Sequence, residues 1–165
     1  MSSADSGGWR WWTLVALCAA TFMLLVDVTV VQVALPTIQR DLHSGFTDLE
    51  WVIDAYALSL ASVILTCGAL ADRFGRKRVF IVGVVVFTGA SFACGLAPTT
   101  GVLIWSRALQ GLGGGAMFAT SLALIGQTYQ GPDRGRAIAA WGSTVGAAVA
   151  TGPLVGGLLT DTLGW

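Results

Sequence analysis

Charged residues are scarce in this chain. Asp, Glu, Lys and Arg make up 11% of its 165 residues, against about 25% in soluble domains. A water-soluble globule of this size needs more charge to cover its surface, which argues against an ordinary soluble enzyme or a disordered tail. The nine Lys and Arg are balanced by nine Asp and Glu, so the basic footprint of a nucleic-acid binder is missing. One histidine, His43, lies in a polar stretch and leaves a histidine-based metal site or triad without material. The three cysteines, Cys18, Cys67 and Cys94, sit singly in apolar runs; that pattern builds neither a disulfide framework nor a zinc site and reads as small buried hydrophobes. No G-x-x-x-x-G-K-[ST] is present, which argues against ATP as an energy source. No cofactor is implied.

What is abundant is apolar sequence. The hydrophobic share is 55%, with 22 glycines in addition. Five runs have the roughly 20-residue length of a membrane span: 13–35, 52–71, 79–97, 101–128 and 137–160. Their alternation is too weak for barrel strands, and backbone groups in lipid must be bonded within the segment. The expected fold class is therefore an all-α membrane protein of five helices after a cytoplasmic tail, residues 1–12. A signal peptide does not fit the first run, which is too long and lacks a small-x-small cleavage site.

Orientation follows from the cations. With the N-terminus in the cytoplasm, Arg10, Arg73, Arg76, Lys77, Arg78, Arg134 and Arg136 all lie inside, and Arg40 alone lies outside. This places Trp165 on the outer side. The expected location is the cell membrane, multi-pass, with the lipid bilayer as first partner. Trp9, Trp11, Trp12 and Trp51 fall at span edges, where amphipathic rings settle.

Three charges fall inside the spans, and each costs about 2.5–3.5 kcal/mol on insertion scales. At 1.5 Å per residue, Asp27 lies roughly 12 Å below the outer end of span 1 and Arg107 roughly 9 Å below that of span 4. The two match in level and are expected to share a water-filled cavity. Burial disfavours an ionised carboxylate and a nearby cation favours it. Asp27 is thus expected to load and release a proton as access to the cavity changes; a static ion pair that fixes helix packing is the alternative. Asp54 lies only about 3 Å into span 2. It reads either as a hydrated edge residue or as an entry group for substrate.

The short segment Gly68-Ala-Leu-Ala-Asp72-Arg73-Phe-Gly75-Arg76-Lys77-Arg78 joins spans 2 and 3. Gly68 and Asp72 have a small-x-x-x-small-like spacing that favours close helix approach. Asp72 is placed to accept from a helix N-terminus or to pair with an arginine, and Gly75 permits the reversal. A plain positive-inside anchor accounts for the cations but not for the Gly and Asp spacing. Spans 4 and 5 carry glycines: Gln110-Gly111-Leu-Gly113-Gly114-Gly115 and Gly152-Pro153-Leu-Val-Gly156-Gly157. Pro153 leaves the Val149 carbonyl without its helical partner, which predicts a kink. The glycines serve either helix packing or a hinge and leak barrier.

Together these residues resemble the major facilitator superfamily, and within it the drug:proton antiporters with fourteen spans. Gly68–Arg78 is similar to the loop motif G-x-x-x-D-R-x-G-R-[KR]. Asp27-Val-Thr29-Val-Val-Gln32-Val-Ala34-Leu35-Pro36 resembles the span-1 motif D-x-T-[IV]-V-N-V-A-L-P, departing at Gln32, where Asn is usual. Arg107-x-x-Gln110-Gly111 resembles the span-4 motif. Gly152-Pro153-x-x-Gly156-Gly157 resembles the antiporter motif of span 5, with Ala148 where glycine is frequent. The resemblance implies export of small amphipathic substrates in exchange for protons, with Asp27 and Arg107 as coupling residues and Gln32, Asp54 and Gln110 as candidates for the substrate cavity. It also implies that Gly68, Asp72, Arg73, Gly75, Arg76 and Lys77 form a conformational switch contacting the second half of the transporter.

Alternating access in such transporters rocks two six-span halves around a midplane site. Five spans therefore read as most of the N-terminal half, whose partners are the missing C-terminal spans of the complete transporter. A uniporter or nutrient symporter of the same superfamily, or a membrane interaction protein without transport activity, are the alternative functions. A membrane enzyme fits least, because no pair of catalytic groups is visible.

Overall fold

The computed structural model describes residues 3–163; Trp165, assigned to the outer side from the charge pattern, lies outside the described residues. Among these residues, five helices are long and apolar enough to cross a membrane. They are α1 (Ser3–Leu42), α2 (Phe46–Phe74), α3 (Arg76–Gly95), α4 (Thr100–Thr128) and α5 (Pro132–Leu163). Most overrun the apolar windows of the sequence. The residues assigned to a tail, 1–12, join α1 from Ser3 onward despite Gly7 and Gly8, since no proline interrupts them and the tryptophans are tolerated in a helix. α1 also continues through Pro36 to Leu42. At 40 residues it is roughly 60 Å long, about twice the hydrocarbon thickness, so both ends project beyond the apolar core.

The turns are short and specified locally. Gly75 takes φ 97° between α2 and α3, a conformation that only glycine adopts without strain. Thr99 caps α4, its side chain accepting from the Val102 N–H at 3.3 Å. Ser44 and Thr100 share a hydrogen bond that ties the α1–α2 turn to the start of α4.

α4 is the centre of the bundle. In its most apolar stretch 56% of residues are buried, against 11–22% in the other four helices. Glycine makes this possible. A Cβ at Gly113 would lie 2.5 Å from the Phe87 backbone nitrogen and 2.8 Å from the Gly83 carbonyl oxygen, so α3 and α4 approach to backbone contact. Gly111 and Gly115 do the same toward α2, at the Tyr56 and Leu60 carbonyls. Only small residues allow such proximity in lipid, where packing rather than the hydrophobic effect drives association. On the other side α5 lies along α1. A Cβ at Gly152 would fall on the Thr29 hydroxyl, one at Gly156 would touch Val30, and the Trp141 indole donates to Thr21 Oγ1 at 2.9 Å. α5 runs through Pro153 as one helix.

Candidate functional site

The two intramembrane charges meet. Asp27 of α1 and Arg107 of α4 form an ion pair, with Arg107 Nη1 donating to Asp27 Oδ2 at 2.5 Å. Gln110, one turn beyond Arg107, completes a closed triangle. Its Nε2 donates to Asp27 Oδ1 at 2.8 Å, and its Oε1 accepts from Arg107 Nη1 at 2.7 Å. The amide thus gives its donor to the carboxylate and its acceptor to the guanidinium, the one orientation that satisfies both. Cys94 Sγ reaches the same Oε1 at 3.6 Å. α2 closes the far side of the guanidinium. Arg107 Nε donates to the Val52 carbonyl oxygen at 3.3 Å, and Arg107 Cζ lies 4.1 Å from the centre of the Tyr56 ring.

Burial is uneven across the pair. The Arg107 side chain is 2% exposed and Asp27 17%. Gln110 is fully buried, at 0%. Asp27 faces a cavity of about 360 Å³ whose wall also includes Val31, Ala34, Ser91, Cys94, Arg107 and Gln110. A buried cation with a carboxylate, an amide, a peptide carbonyl and an aromatic face around it is well compensated; a desolvated cation–π contact alone is worth about 2 kcal/mol.

Two of the substrate-cavity candidates are elsewhere. Gln32 and Asp54 are exposed, and neither lines this cavity. The cause is helical phase. Gln32 follows Asp27 by five residues, which at about 100° per residue turns it roughly 140° away from the carboxylate. Asp54 follows Val52 by two residues, which puts it on nearly the opposite side of α2 from the carbonyl that binds Arg107. Tyr56, one turn after Val52, is the residue of α2 that reaches the site. It was not anticipated; a tyrosine inside an apolar span was the available signal. Cys94, anticipated as a mere hydrophobe, also touches the polar cluster.

At the opposite end of the bundle, where α1 begins, the loop between α2 and α3 is cross-tied. Arg76 pairs with Asp72 at 3.0 Å and donates to the Ala123 carbonyl of α4 at 3.1 Å. Arg73 lies 5.5 Å from the ring of Phe74, and Lys77 Nζ lies 5.2 Å from that of Trp9. Asp72 therefore takes the arginine of its two expected partners. At Gly68 nothing lies within 4 Å of the would-be Cβ, so among the described residues no close approach is seen there. The α4–α5 end joins this layer through Tyr129, whose hydroxyl donates to the Arg10 carbonyl at 2.6 Å. Its ring lies 4.8 Å from the Arg10 guanidinium, which reaches Asp133 at 3.8 Å. In the span-5 motif, Gly152 and Gly156 are buried against α1, whereas Pro153 is exposed and Gly157 has open space beside it.

Residues 17–165 match the Major Facilitator Superfamily. The chain belongs to that superfamily. Among its relatives is the puromycin resistance protein pur8 of Streptomyces alboniger, 45% identical over 157 residues, a match spanning 94% of this chain and 31% of that protein. The multidrug resistance protein Stp of Mycobacterium tuberculosis is 43% identical, with 93% of this chain and 29% of the relative covered. The tetracenomycin C resistance and export protein of Streptomyces glaucescens is 40% identical, with 96% and 29% covered. This facilitator chain thus spans less than a third of the curated relatives named. Its fold is also that of a bacterial homologue of the human lysosomal transporter Spinster, solved in an inward-facing, unoccupied conformation, with a TM-score of 0.78 and 25% identity over 91% of this chain and 32% of that one.

Proposed function

We propose that this chain supplies N-terminal helices of a secondary transporter in the cell membrane that exports small amphipathic compounds in exchange for protons. The observation that carries the reading is the Asp27–Arg107–Gln110 triangle at the cavity wall. Its relatives' names, resistance proteins and an exporter, point to the direction of transport and to the substrate class. The N-terminus is cytoplasmic in this reading, as the positive-inside rule requires.

The chemistry needs only one proton site. An ionised Asp27 neutralises Arg107, and the pair is stable in the closed cluster. A proton arriving through the cavity on the outer side converts Asp27 to a neutral acid and removes the ion pair. Loss of the ion pair releases α1 from α4 for the alternating-access transition, while Arg107, now the one charge of the cluster, keeps the Gln110 amide, the Val52 carbonyl and the Tyr56 ring around it. Release of the proton to the cytoplasm restores the pair. A lipophilic cation would compete with the proton for the same carboxylate, which links its export to proton entry.

The test is drug resistance and dye efflux by the complete transporter in a susceptible host, with and without a protonophore. Efflux that collapses with the proton gradient supports the reading. Efflux that continues undiminished overturns it.

A further inference from the structure

Besides Gln110 on its own helix, Arg107 is gripped from two other helices, and these two grips differ in kind. From α1 it meets a carboxylate, which loses its charge on protonation. From α2 it meets the Val52 carbonyl oxygen and the face of Tyr56, neither of which titrates near neutral pH. Val52 and Tyr56 are one turn apart, so α2 presents them as a single rigid cradle.

We propose that Tyr56, together with the Val52 carbonyl, is a positioning residue that keeps the Arg107 guanidinium beside Asp27 whether or not the carboxylate carries its proton. The inference rests on the proton-exchange reading above, and it adds to that reading a residue that holds the cation in place.

Three observations carry it. Tyr56 is 4% exposed and belongs to one buried cluster with Leu24, Phe87 and Met117, which come from three other helices. Its hydroxyl is buried and has no hydrogen-bond partner among the described residues; the aromatic face, not the phenol, is therefore the part the site engages. Glycines make room for it: a Cβ at Gly111 would fall on the Tyr56 carbonyl oxygen, and one at Gly114 would lie 3.2 Å from the hydroxyl. The groups facing Arg107 are Asp27 from α1, Tyr56 from α2, Cys94 through Gln110 from the α3 side, and Gln110 on α4 itself. α5 adds Leu159 and Thr160 to the cavity wall and, among the described residues, no titratable side chain.

Without the ring, protonation of Asp27 lets Arg107 swing into the cavity and become hydrated. That favours the protonated form, so coupling shifts to higher pH. Two measurements on the complete transporter test this. In the first, arginine side chains are labelled with nitrogen-15 and the Arg107 signal is assigned by its loss in Arg107→Lys. The ring-current shift imposed by Tyr56 is expected in the wild type and in Asp27→Asn, which mimics the protonated acid, and is expected to vanish in Tyr56→Leu. An Asp27→Asn protein in which the shift is lost overturns the proposal. In the second, the pH profile of proton-driven exchange is compared. It is expected to move up by about one unit in Tyr56→Leu and to stay at the wild-type position in Tyr56→Phe, which keeps the ring. Should Tyr56→Leu fail to fold, 3,4,5-trifluorophenylalanine at position 56 keeps the shape and weakens the ring face; an unmoved profile with that residue overturns the proposal. A wild-type protein without any pH-dependent exchange contradicts the transport reading, and the labelled-arginine comparison still decides the cradle.

Discussion

Gln110 is the residue on which the polar cluster closes, since among the described residues it is the side chain hydrogen-bonded to both Asp27 and Arg107. Replacing it with leucine strips one acceptor from the guanidinium and one donor from the carboxylate in a buried place. The expected cost is about 1–3 kcal/mol, read as a lower melting temperature of the purified transporter together with weaker exchange. Arg107→Lys is expected to be worse for exchange than for folding. An ammonium is a point charge and cannot reach Asp27, Gln110 and the Val52 carbonyl at once, nor stack flat on Tyr56. Retained proton-driven exchange in Arg107→Lys would show that the fork geometry is not needed. The meeting of Asp27 and Arg107 was legible in the sequence, because residue counting from two span ends put them at one depth. Their neighbours were not. Depth says nothing about rotation around a helix axis, and neither does the resemblance that made Gln32 and Asp54 candidates. The half-turn that sends them outward, and brings Val52 and Tyr56 inward, is set by how α1 packs on Gly152 and Gly156 of α5 and α2 on Gly111 and Gly115 of α4.

Helices in this chain are positioned by where side chains are missing. Gly113 is the clearest case: its would-be Cβ overlaps backbone atoms of α3, which cannot move aside as a side chain can. Gly113→Val is expected to separate α3 from α4 and cost about 1–3 kcal/mol or more, seen as a loss of folded protein in detergent. Gly157→Ala, with open space at its Cβ, is expected to be neutral or slightly stabilising. Gly75→Ala separates the two effects that glycine can have. Nothing lies near its Cβ, yet its φ of 97° is unfavourable for any other residue, so a penalty of about 1–2 kcal/mol is expected from the backbone alone. Equal melting temperatures for all three variants would contradict this account of the packing. The sequence showed the glycine runs plainly. It did not show which glycines meet a neighbour, since Gly68 and Gly157 look like Gly113 and Gly152 until the helices are placed side by side.

For the molecule as a whole, five helices and their short turns were readable because hydropathy alone sets membrane spans. Their ends were less so, because polar residues that close an apolar window do not end a helix. Ser3–Trp12 and Pro36–Leu42 are both helical, and the first carries Arg10 into contact with Tyr129 and Asp133. That layer of arginine contacts, with Arg76 on Asp72 and Ala123, draws on residues of all five helices. The charge asymmetry predicts its side. Single cysteines placed at Gly131 and at His43, in a background without Cys18, Cys67 and Cys94, are expected to react with an impermeant maleimide from the cytoplasmic and the external face respectively. The reverse pattern would invert the topology and place the Asp27 cavity on the wrong side for proton entry. The most direct test of the central claim is proton-gradient-driven drug uptake into everted membrane vesicles by the complete transporter carrying Asp27→Asn. The account predicts a correctly inserted protein, with a lowered melting temperature because buried Arg107 loses its counter-charge, whose uptake no longer responds to the gradient; gradient-driven uptake at the wild-type rate would contradict it.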